Sequence, residues 1–437
     1  MFKSLSIFSL LLLILTAALF PSEGTRALFN PKAIALVLFV LSFTAYFLTE
    51  RKVEEKELLT VGGFFLLLGA ISFWILLALS GGIEAVAIID ETKLFLITFL
   101  PFFGATILYN RGALKFSTFI KTLLYANSLY TFAKVGFLLL VFLKIVSFST
   151  FIEVTGIRVM SLDVAGSFNR FLTSCDLFTP FLLFFVAARK SFNLRLNRLF
   201  VYFYIPVSLL SIAIAFSRVF LFIGFASLVL ALLLQFQKKA IFALYVSIFF
   251  CLGVTAVLGP EKVASMLELR LFSRENTASD KVRAGQIEAL VEETAYHPLL
   301  GLGLGGYSRE VIRDKDVLHL YEVQWLALLA QFGFLGVPLL LSPVFALFFS
   351  FLKGIFSVER LFLFTLFLGW LAAGTTNPFV LSLASGVMYT LFFLGLKELE
   401  TSHLYPIGQD VHPPFARVSG NFRVAEMPCM AGHSRPI

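Results

Sequence analysis

The sequence predicts an all-α polytopic membrane protein with about twelve transmembrane helices. Of its 437 residues, 59% are hydrophobic and 14% are charged, and the mean hydropathy is +0.90. A soluble core of this size could not bury so much apolar surface. The apolar runs are continuous and do not alternate with polar residues, and only helices or closed barrels can cross a membrane. Continuous runs therefore indicate helices.

Each predicted helix is an apolar run near the length of about 20 residues that a bilayer requires. The first run follows Lys3, as in a signal peptide, but no small-residue cleavage site stands out before Arg26, so we expect it to remain as a helix. The runs fall at residues 4–20, 32–49, 58–80, 94–108, 117–145, 173–188, 199–216, 219–236, 240–259, 322–350, 359–374 and 379–396.

Basic residues in the short loops predict the orientation of these helices. With the amino terminus in the cytoplasm, most of them fall inside, and removing one span would reverse everything after it. Helices one to nine then occupy residues 1–259, helices ten to twelve 321–397, and a flexible cytoplasmic tail 398–437. The large loop 260–320 lies outside, which is the periplasmic face if the cell is a Gram-negative bacterium. The inside residues are Arg51, Lys52, Lys56, Arg111, Lys115, Arg189, Lys190, Arg195, Arg198, Lys238, Lys239, Lys353, Arg360 and Lys397; the outside residues are Arg26, Lys32, Lys93, Arg158, Arg170 and Arg218.

Charge and cysteine content argue against several other classes of protein. The net charge of +8 is explained by the loops that set the orientation, so we expect no nucleic-acid partner. Cys175, Cys251 and Cys429 lack CxxC spacing, which suggests neither a metal site nor a disulfide framework. A periplasmic site also disfavours nucleotide sugars and ATP, because those compounds are cytoplasmic.

A turn is predicted at Ser217-Arg218. The apolar stretch 199–236 is about twice the length of one span, and Arg218 is the only charge within it. The turn therefore places Arg218 at the outer interface, beside the large loop. Arg218 is then either a helix-end arginine that snorkels to the surface or a residue of a functional site.

A helix in the large loop is predicted to direct Arg283 towards the membrane domain. Asp280 is suited to cap this helix, which should stop before His297-Pro298. Spacings of three and four residues place Arg283 on an apolar stripe that packs downwards. A salt bridge from Arg283 to Glu288 or Glu292 is the alternative. The stripe comprises Arg283, Ile287, Leu290 and Val291.

The glycine-rich turn that begins at His297 could bind an anion through its backbone N–H groups. No Lys-Ser or Lys-Thr pair follows the glycines, so the turn is not a P-loop. Asp314-Lys315-Asp316 matches the metal-binding DxD pattern of some glycosyltransferases, but three-residue patterns are common in charged loops, and we expect no metal. The glycines are Gly301, Gly303, Gly305 and Gly306.

His319 and Glu322 are the candidate general bases. They are three residues apart where the loop enters the tenth span, so both can face the same side of the first helical turn. Either side chain could accept a proton from a hydroxyl group. An ordinary polar helix start is the alternative explanation.

Three arginines from distant parts of the chain, Arg170, Arg218 and Arg283, are predicted to share the outer face. Asp176, which follows Arg170, is expected to stabilise the amino terminus of the sixth span. The planar guanidinium group suits bidentate phosphate binding. The set therefore suggests a lipid-linked diphosphate at the outer membrane surface.

These features occur in a fixed order along the chain. Ser217-Arg218 opens a span, Arg283 lies on a loop helix, residues 297–303 form a His-Pro-x-x-Gly-x-Gly turn, and Glu322 precedes a Gly-x-x-Gly span at 331–336. This combination resembles the superfamily of O-antigen polymerases and O-antigen ligases. Its members share the Ser-Arg span start, the long periplasmic loop with an arginine helix, and the glycine turn.

The resemblance, which covers about residues 165–340, implies a GT-C-like glycosyltransferase of the bacterial inner membrane. Its substrate would be an undecaprenyl-diphosphate-linked oligosaccharide, transferred on the periplasmic side without a metal, nucleotide sugar or cofactor. By that likeness Arg218 and Arg283 would hold the diphosphate as leaving group, and Arg170 would assist. Preorganised arginines in a poorly solvated site suit the charge that develops there.

A departure from the family's ligase pattern favours a polymerase over a ligase. Ligases of the family usually carry a His-Asn pair at the span entrance, where this chain has Glu322, with His319 one turn earlier. Further partners would be a chain-length regulator or, for a ligase, a lipid A-core acceptor. A twelve-span secondary transporter is a second alternative, but transporters carry charges and broken helices at the bilayer midplane, whereas these charges gather at the outer surface.

Overall fold

A computed structural model confirms that the chain is an α-helical membrane-embedded protein. Within the residues that the structure describes, everything regular is helical except one antiparallel pair of two-residue strands, β1 (Asp163–Val164) and β2 (Phe168–Asn169). The described residues are 1–21, 30–50, 55–148, 163–164, 168–169, 171–215, 217–235, 261, 274–312, 318–353, 357–375 and 377–404.

Thirteen α-helices of more than one turn lie in those ranges, and a short 3₁₀ helix (Ser174–Leu177) precedes the sixth. The helices are α1 (Phe2–Leu19), α2 (Pro31–Thr49), α3 (Glu55–Ser80), α4 (Ala85–Asn110), α5 (Phe116–Phe142), α6 (Thr179–Ala187), α7 (Arg198–Ala215), α8 (Arg218–Gln235), α9 (Arg274–Tyr296), α10 (Gln324–Leu340), α11 (Ser342–Leu352), α12 (Val358–Ala373) and α13 (Leu383–Leu404).

Five of these helices, α1, α2, α3, α5 and α7, are long and apolar enough to cross a membrane, and α10 with α11 forms a further span bent by 51°. Ser174–Ala187 and Arg218–Leu234 are shorter apolar helices. The predicted ninth run, 240–259, lies outside the described residues, as do tail residues 405–437. The count of twelve spans therefore stays a prediction.

Local sequence explains where α2 begins. Asn30 caps α2 through its side-chain oxygen, which accepts the N–H groups of Lys32 and Ala33 at 3.1 and 3.2 Å. Pro31 takes the first helical position, where no N–H group is needed. Such caps fix the ends of spans whose apolar side chains would otherwise permit sliding.

Aromatic side chains lock α4 into the centre of the bundle. Phe99 stacks on Tyr389 of α13 with ring centroids 6.3 Å apart, and Phe95 meets Phe332 of α10 edge to face at 5.5 Å. The largest apolar core is continuous through α1, α3, α4, α5, α6, α12 and α13. Residues 297–306, called the outer turn because the sequence predicts that they lie outside, rest on this core.

Helix α10 is broken at Gly333, whose φ is 63° and ψ is −176°. In an unbroken helix the N–H groups of Phe334 and Leu335 would donate to the carbonyl oxygens of Ala330 and Gln331. The break separates these donors from their acceptors. Inside a membrane each of the four groups needs another partner.

The turn that follows α9 supplies all four partners. The N–H groups of Leu302 and Gly303 donate to the two freed carbonyl oxygens, at 3.0 and 2.8 Å. The two freed N–H groups donate to the carbonyls of Pro298 and Leu299, at 2.8 and 3.1 Å. The outer turn is therefore inserted into the helix as a backbone plug.

Trp74 of α3 holds the same turn from the other side. Its indole N–H donates to the carbonyl of Leu300 at 2.8 Å, and its own carbonyl accepts the N–H of Leu304 at 3.4 Å. The plug is thus bonded to two helices at once. Its position sets where α9 and the start of α10 meet.

Candidate functional site

The loop helix α9 ends where the sequence predicts but begins earlier. It stops at Tyr296, directly before His297-Pro298, because proline disfavours helical backbone in the residue that precedes it. It starts at Arg274, so Asp280 lies inside the helix and the prediction that Asp280 caps it was wrong.

The buried face of α9 also differs from the predicted stripe. Leu290 is buried as expected, but Ile287 and Val291 are about half exposed, at 45% and 51%. Gln286 and Ala289 are buried in their place. The apolar pattern was misleading because Gln286, a polar residue, takes a buried position in which it accepts a hydrogen bond from the N–H of Glu322.

Arg283 and Glu322 are brought together by this packing. The Arg283 Nε donates to a Glu322 carboxylate oxygen at 2.7 Å, and the two side chains retain 24% and 18% of their exposure. Glu288 and Glu292, the alternative partners considered from the sequence, are exposed on the opposite face of α9. Two predicted site residues, 39 positions apart, therefore form one partly accessible ion pair.

Gln286 holds the backbone at the same point. Its side-chain oxygen accepts the N–H of Glu322 at 2.9 Å, one helical turn after Arg283. Helix α9 thus binds Glu322 through both its carboxylate and its backbone. Gln286 was not predicted as a site residue, although its spacing of three residues from Arg283 places it on the same face.

His319 and Glu322 do not share a helical turn. Helix α10 begins at Gln324, so both residues precede it, and that prediction was wrong. His319 is buried, and within the described residues neither ring nitrogen has a hydrogen-bond partner. Burial lowers the pKa of His319 below its usual value, and the nearby Asp90 carboxylate opposes the shift only partly.

The glycine turn does not offer its N–H groups to an anion. Gly301 donates to the carbonyl of His297 at 3.0 Å, and Gly303 donates to that of Gln331 at 2.8 Å. Gly305 donates to the buried Glu91 carboxylate, and Gly306 donates to the carbonyl of Gly303 at 3.1 Å. The expected anion nest is wrong because all four donors are used, two within the turn and two to dock it. The His297 side chain itself is exposed.

The turn predicted at Ser217-Arg218 is confirmed. Helix α7 ends at Ala215 and α8 begins at Arg218, whose side chain is exposed, while Ser217 is buried. Two residues into α8, Phe220 stacks on Phe379 with ring centroids 6.2 Å apart.

The segment that contains Phe379 contacts both α8 and the first residue of α10. The next residue, Val380, donates its N–H to the side-chain oxygen of Gln324 at 2.6 Å. The start of α8 therefore lies at the same end of the bundle as Glu322. Arg218 and the Arg283–Glu322 pair share that end.

Two predicted features lie outside the described residues: Arg170 and the Asp314-Lys315-Asp316 triplet. Phe171, which directly follows Arg170, is buried and forms an apolar cluster with Phe148 and with Ile214 of α7. Among the described residues, no group of three His, Cys, Asp or Glu side chains could hold a metal ion.

A buried ion pair between Lys134 and Asp176 was not predicted as part of the site. Asp176 does stabilise a helix start, as expected, because it forms a capping box with Thr173. The available signal was Lys134 itself, the one charge deep within the apolar run 117–145.

Comparisons with known proteins do not assign a family. No family model matches the chain, and no curated protein is significantly similar to it. The site combines a partly exposed guanidinium–carboxylate pair, a buried imidazole and an exposed arginine at one end of a membrane bundle.

Proposed function

We propose that the chain is a membrane glycosyltransferase that polymerises polysaccharide repeat units carried on undecaprenyl diphosphate. The observation that carries the proposal is the 2.7 Å contact between Arg283 of the loop helix and Glu322, two residues before α10. It joins an anion-binding group and a proton acceptor at one place. The proposed location is the periplasmic face of a bacterial inner membrane.

The proposed reaction is a displacement at the anomeric carbon of the donor sugar. A hydroxyl of the acceptor repeat unit forms the new glycosidic bond while the bond to the diphosphate oxygen breaks. Glu322 accepts the hydroxyl proton, with His319 as the alternative base. Arg283 and Arg218, assisted by Arg170, neutralise the charge on the departing diphosphate.

An apolar groove supports a lipid-linked substrate. It runs along α3 beside the outer turn and the second half of α10 and has only apolar surface. An isoprenoid chain is a fitting occupant, since it has no polar group to satisfy. The lining residues are Leu66, Ala70, Phe73, Trp74, Leu300, Leu335 and Leu339.

The broken helix α10 gives no support to the alternative of a secondary transporter. In transporters, unwound backbone groups remain available to coordinate a transported ion. Here the four groups freed at Gly333 are all bonded to residues 298–303 of the outer turn. The break is closed by protein, which suits a structural joint.

The proposal can be tested on the surface glycan of a strain that lacks the gene. The strain is complemented with wild type, Arg218→Ala, Arg283→Ala or Glu322→Ala, and the lipopolysaccharide is separated on a gel after membrane expression has been checked. Arg309→Ala, which removes an exposed arginine of the same loop, is the matched control.

We expect the control to restore the wild-type ladder and the three site variants to fail. Lipid A-core that carries a single repeat unit would identify a polymerase. Polymer that stays on the lipid carrier beside bare core would identify a ligase and correct the acceptor. Wild-type ladders from all three site variants would reject the site. Loss of solute uptake with intact glycan would favour a transporter.

A further inference from the structure

Lys134 and Asp176 form an ion pair deep inside the bundle. The Lys134 ammonium lies 2.6 Å from an Asp176 carboxylate oxygen, and the two side chains are 1% and 2% exposed. Removing both charges from water is costly, and an apolar pair of similar volume usually packs as well or better. Helix packing alone therefore does not explain why charges occupy this place.

The Lys134 side chain reaches two other segments as well as its own helix. Its ammonium donates to the carbonyl of Ser211, in the last turns of α7, at 3.0 Å. It also lies over the ring of Phe171, 5.6 Å from the centroid. One buried cation thus contacts the segment before α6 and the end of α7.

Asp176 is bonded in the same way. It accepts the hydroxyl of Tyr130 at 3.0 Å and the backbone N–H of Thr173 at 2.9 Å. Its other oxygen contacts the Ser211 hydroxyl at 3.4 Å. These bonds fix main-chain positions in both segments, so the ion pair determines how the segments lie relative to α5.

Both segments lead directly to a predicted phosphate-binding arginine. Arg170 immediately precedes Phe171, and Arg218 begins α8 just beyond the end of α7. Phe171 and Ile214 pack in one apolar cluster, so the two segments meet. An error in their placement would move the backbone from which Arg218 extends.

We propose that Lys134 and Asp176 are positioning residues that hold Arg218 at the depth and angle required to bind the lipid-linked diphosphate. The proposal rests on the proposed function, since it assigns Arg218 to the diphosphate. The directional bonds of the ion pair, which apolar side chains cannot replace, supply the positioning.

The test measures binding of undecaprenyl diphosphate to the purified full-length protein in lipid nanodiscs. The variant Lys134→Met/Asp176→Leu removes both charges together, so that neither is left buried alone. We expect its dissociation constant to rise about tenfold. Its melting temperature should also fall, because Asp176→Leu leaves the buried Thr173 N–H without its acceptor. Lys134→Arg, which keeps the pair but changes its reach, should bind more weakly than wild type by a smaller factor.

Combination with Arg218→Ala separates positioning from general damage. If the ion pair acts through Arg218, Lys134→Met/Asp176→Leu should weaken binding in the wild type but not further in Arg218→Ala. The same loss in both backgrounds would overturn the inference. Wild-type binding by both Lys134→Met/Asp176→Leu and Lys134→Arg would also overturn it, and Lys134→Arg decides the matter if the double variant does not fold.

A second buried ion pair provides the matched control. Arg111 lies 2.5 Å from Glu57, with 6% and 0% exposure, beside the start of α5. Lys134 is about 27 Å further along that helix. Arg111→Met/Glu57→Leu should bind the diphosphate like wild type.

The single variant Arg218→Ala distinguishes the two proposals. If Arg218→Ala binds the diphosphate normally, the proposed function fails at that residue. If Arg218→Ala binds poorly and the Lys134 variants bind normally, only the positioning role fails.

Discussion

Gly301 and Gly333 face each other across the joint between the outer turn and α10. Their φ angles are 71° and 63°, in the left-handed region that favours glycine. A Cβ on Gly301 would overlap the backbone of Gln331, and one on Gly333 would overlap the carbonyl of Leu299. Each glycine therefore makes room for the backbone next to the other.

Alanine at either position should destabilise the protein strongly. The positive φ alone costs about 1–2 kcal/mol, and the overlap with backbone, which cannot rotate away, adds about 1–3 kcal/mol. We expect a marked fall in the melting temperature of detergent-solubilised protein and a lower membrane yield for both Gly301→Ala and Gly333→Ala.

Two other glycines separate backbone strain from overlap. Gly112 and Gly82 have φ angles of 63° and 74°, but nothing lies within 4 Å of an added Cβ at either position. Gly112→Ala and Gly82→Ala should therefore show only the smaller loss. Equal losses at all four positions would contradict the account of the joint.

Glu322→Gln should abolish most glycan transfer without harming the fold. The amide keeps the size of the side chain and can still contact Arg283, but it cannot accept the hydroxyl proton, so the rate should fall about 10²–10⁴-fold. Single-turnover transfer between purified lipid-linked repeat units measures this. Glu288→Gln, on the exposed face of α9, should transfer at the wild-type rate. Full activity of Glu322→Gln would show that Glu322 is not the base and would favour His319 instead.

The stability of the protein should fall in mild acid because of His319. Burial lowers the pKa of His319, so the folded state resists a proton that the unfolded chain binds below its ordinary value of about 6.5. Stability that is complete above that pH is then lost as the pH falls through it. Melting temperatures can be measured for wild type and His319→Leu between pH 7.5 and 5.5, on the order of one unit either side of that value. The melting temperature of wild type should fall with the pH by an amount that the variant does not show. His297→Leu, which changes an exposed imidazole, is the control; parallel curves for wild type and His319→Leu would reject the explanation.

Glu91 should tolerate an amide better than an apolar residue. Its buried carboxylate accepts the Gly305 N–H, an interaction that Glu91→Gln preserves with a neutral group. Glu91→Leu leaves that N–H buried without its acceptor, at a cost of about 1–3 kcal/mol. Melting temperatures should rank Glu91→Gln at or above wild type and Glu91→Leu clearly below. Asp90→Asn, at a more exposed neighbour, should change little.

Sequence patterns predicted those features that depend on local chemistry. The helix class, the turn at Ser217-Arg218 and the end of α9 before His297-Pro298 follow from apolar length, an isolated charge and proline geometry. Local sequence also indicated Arg283 and Glu322 as site residues, but their contact depends on tertiary packing. Nothing in the chain between them fixes the distance.

The wrong predictions about α9 and the glycine turn have a common physical origin. Gln286 replaced Ile287 on the buried face because a hydrogen bond to the backbone of Glu322 outweighed apolar periodicity. Of the glycine N–H groups that suggested an anion site, that of Gly303 helps to close the break at Gly333, and the other three donate to His297, Glu91 and Gly303. In both cases one segment satisfies the backbone of another, and side-chain patterns do not report such pairing.

The plugged break in α10 also constrains how the chain is inserted during synthesis. Four backbone groups around Gly333 have no partner inside their own helix. Insertion of α10 alone into the bilayer would therefore be unfavourable. Residues 298–303 are synthesised earlier and can already be bound to α3 through Trp74. Helix α10 and the turn must therefore be acquired as one unit, and a chain that loses the turn should be degraded during biogenesis before any partly active protein accumulates.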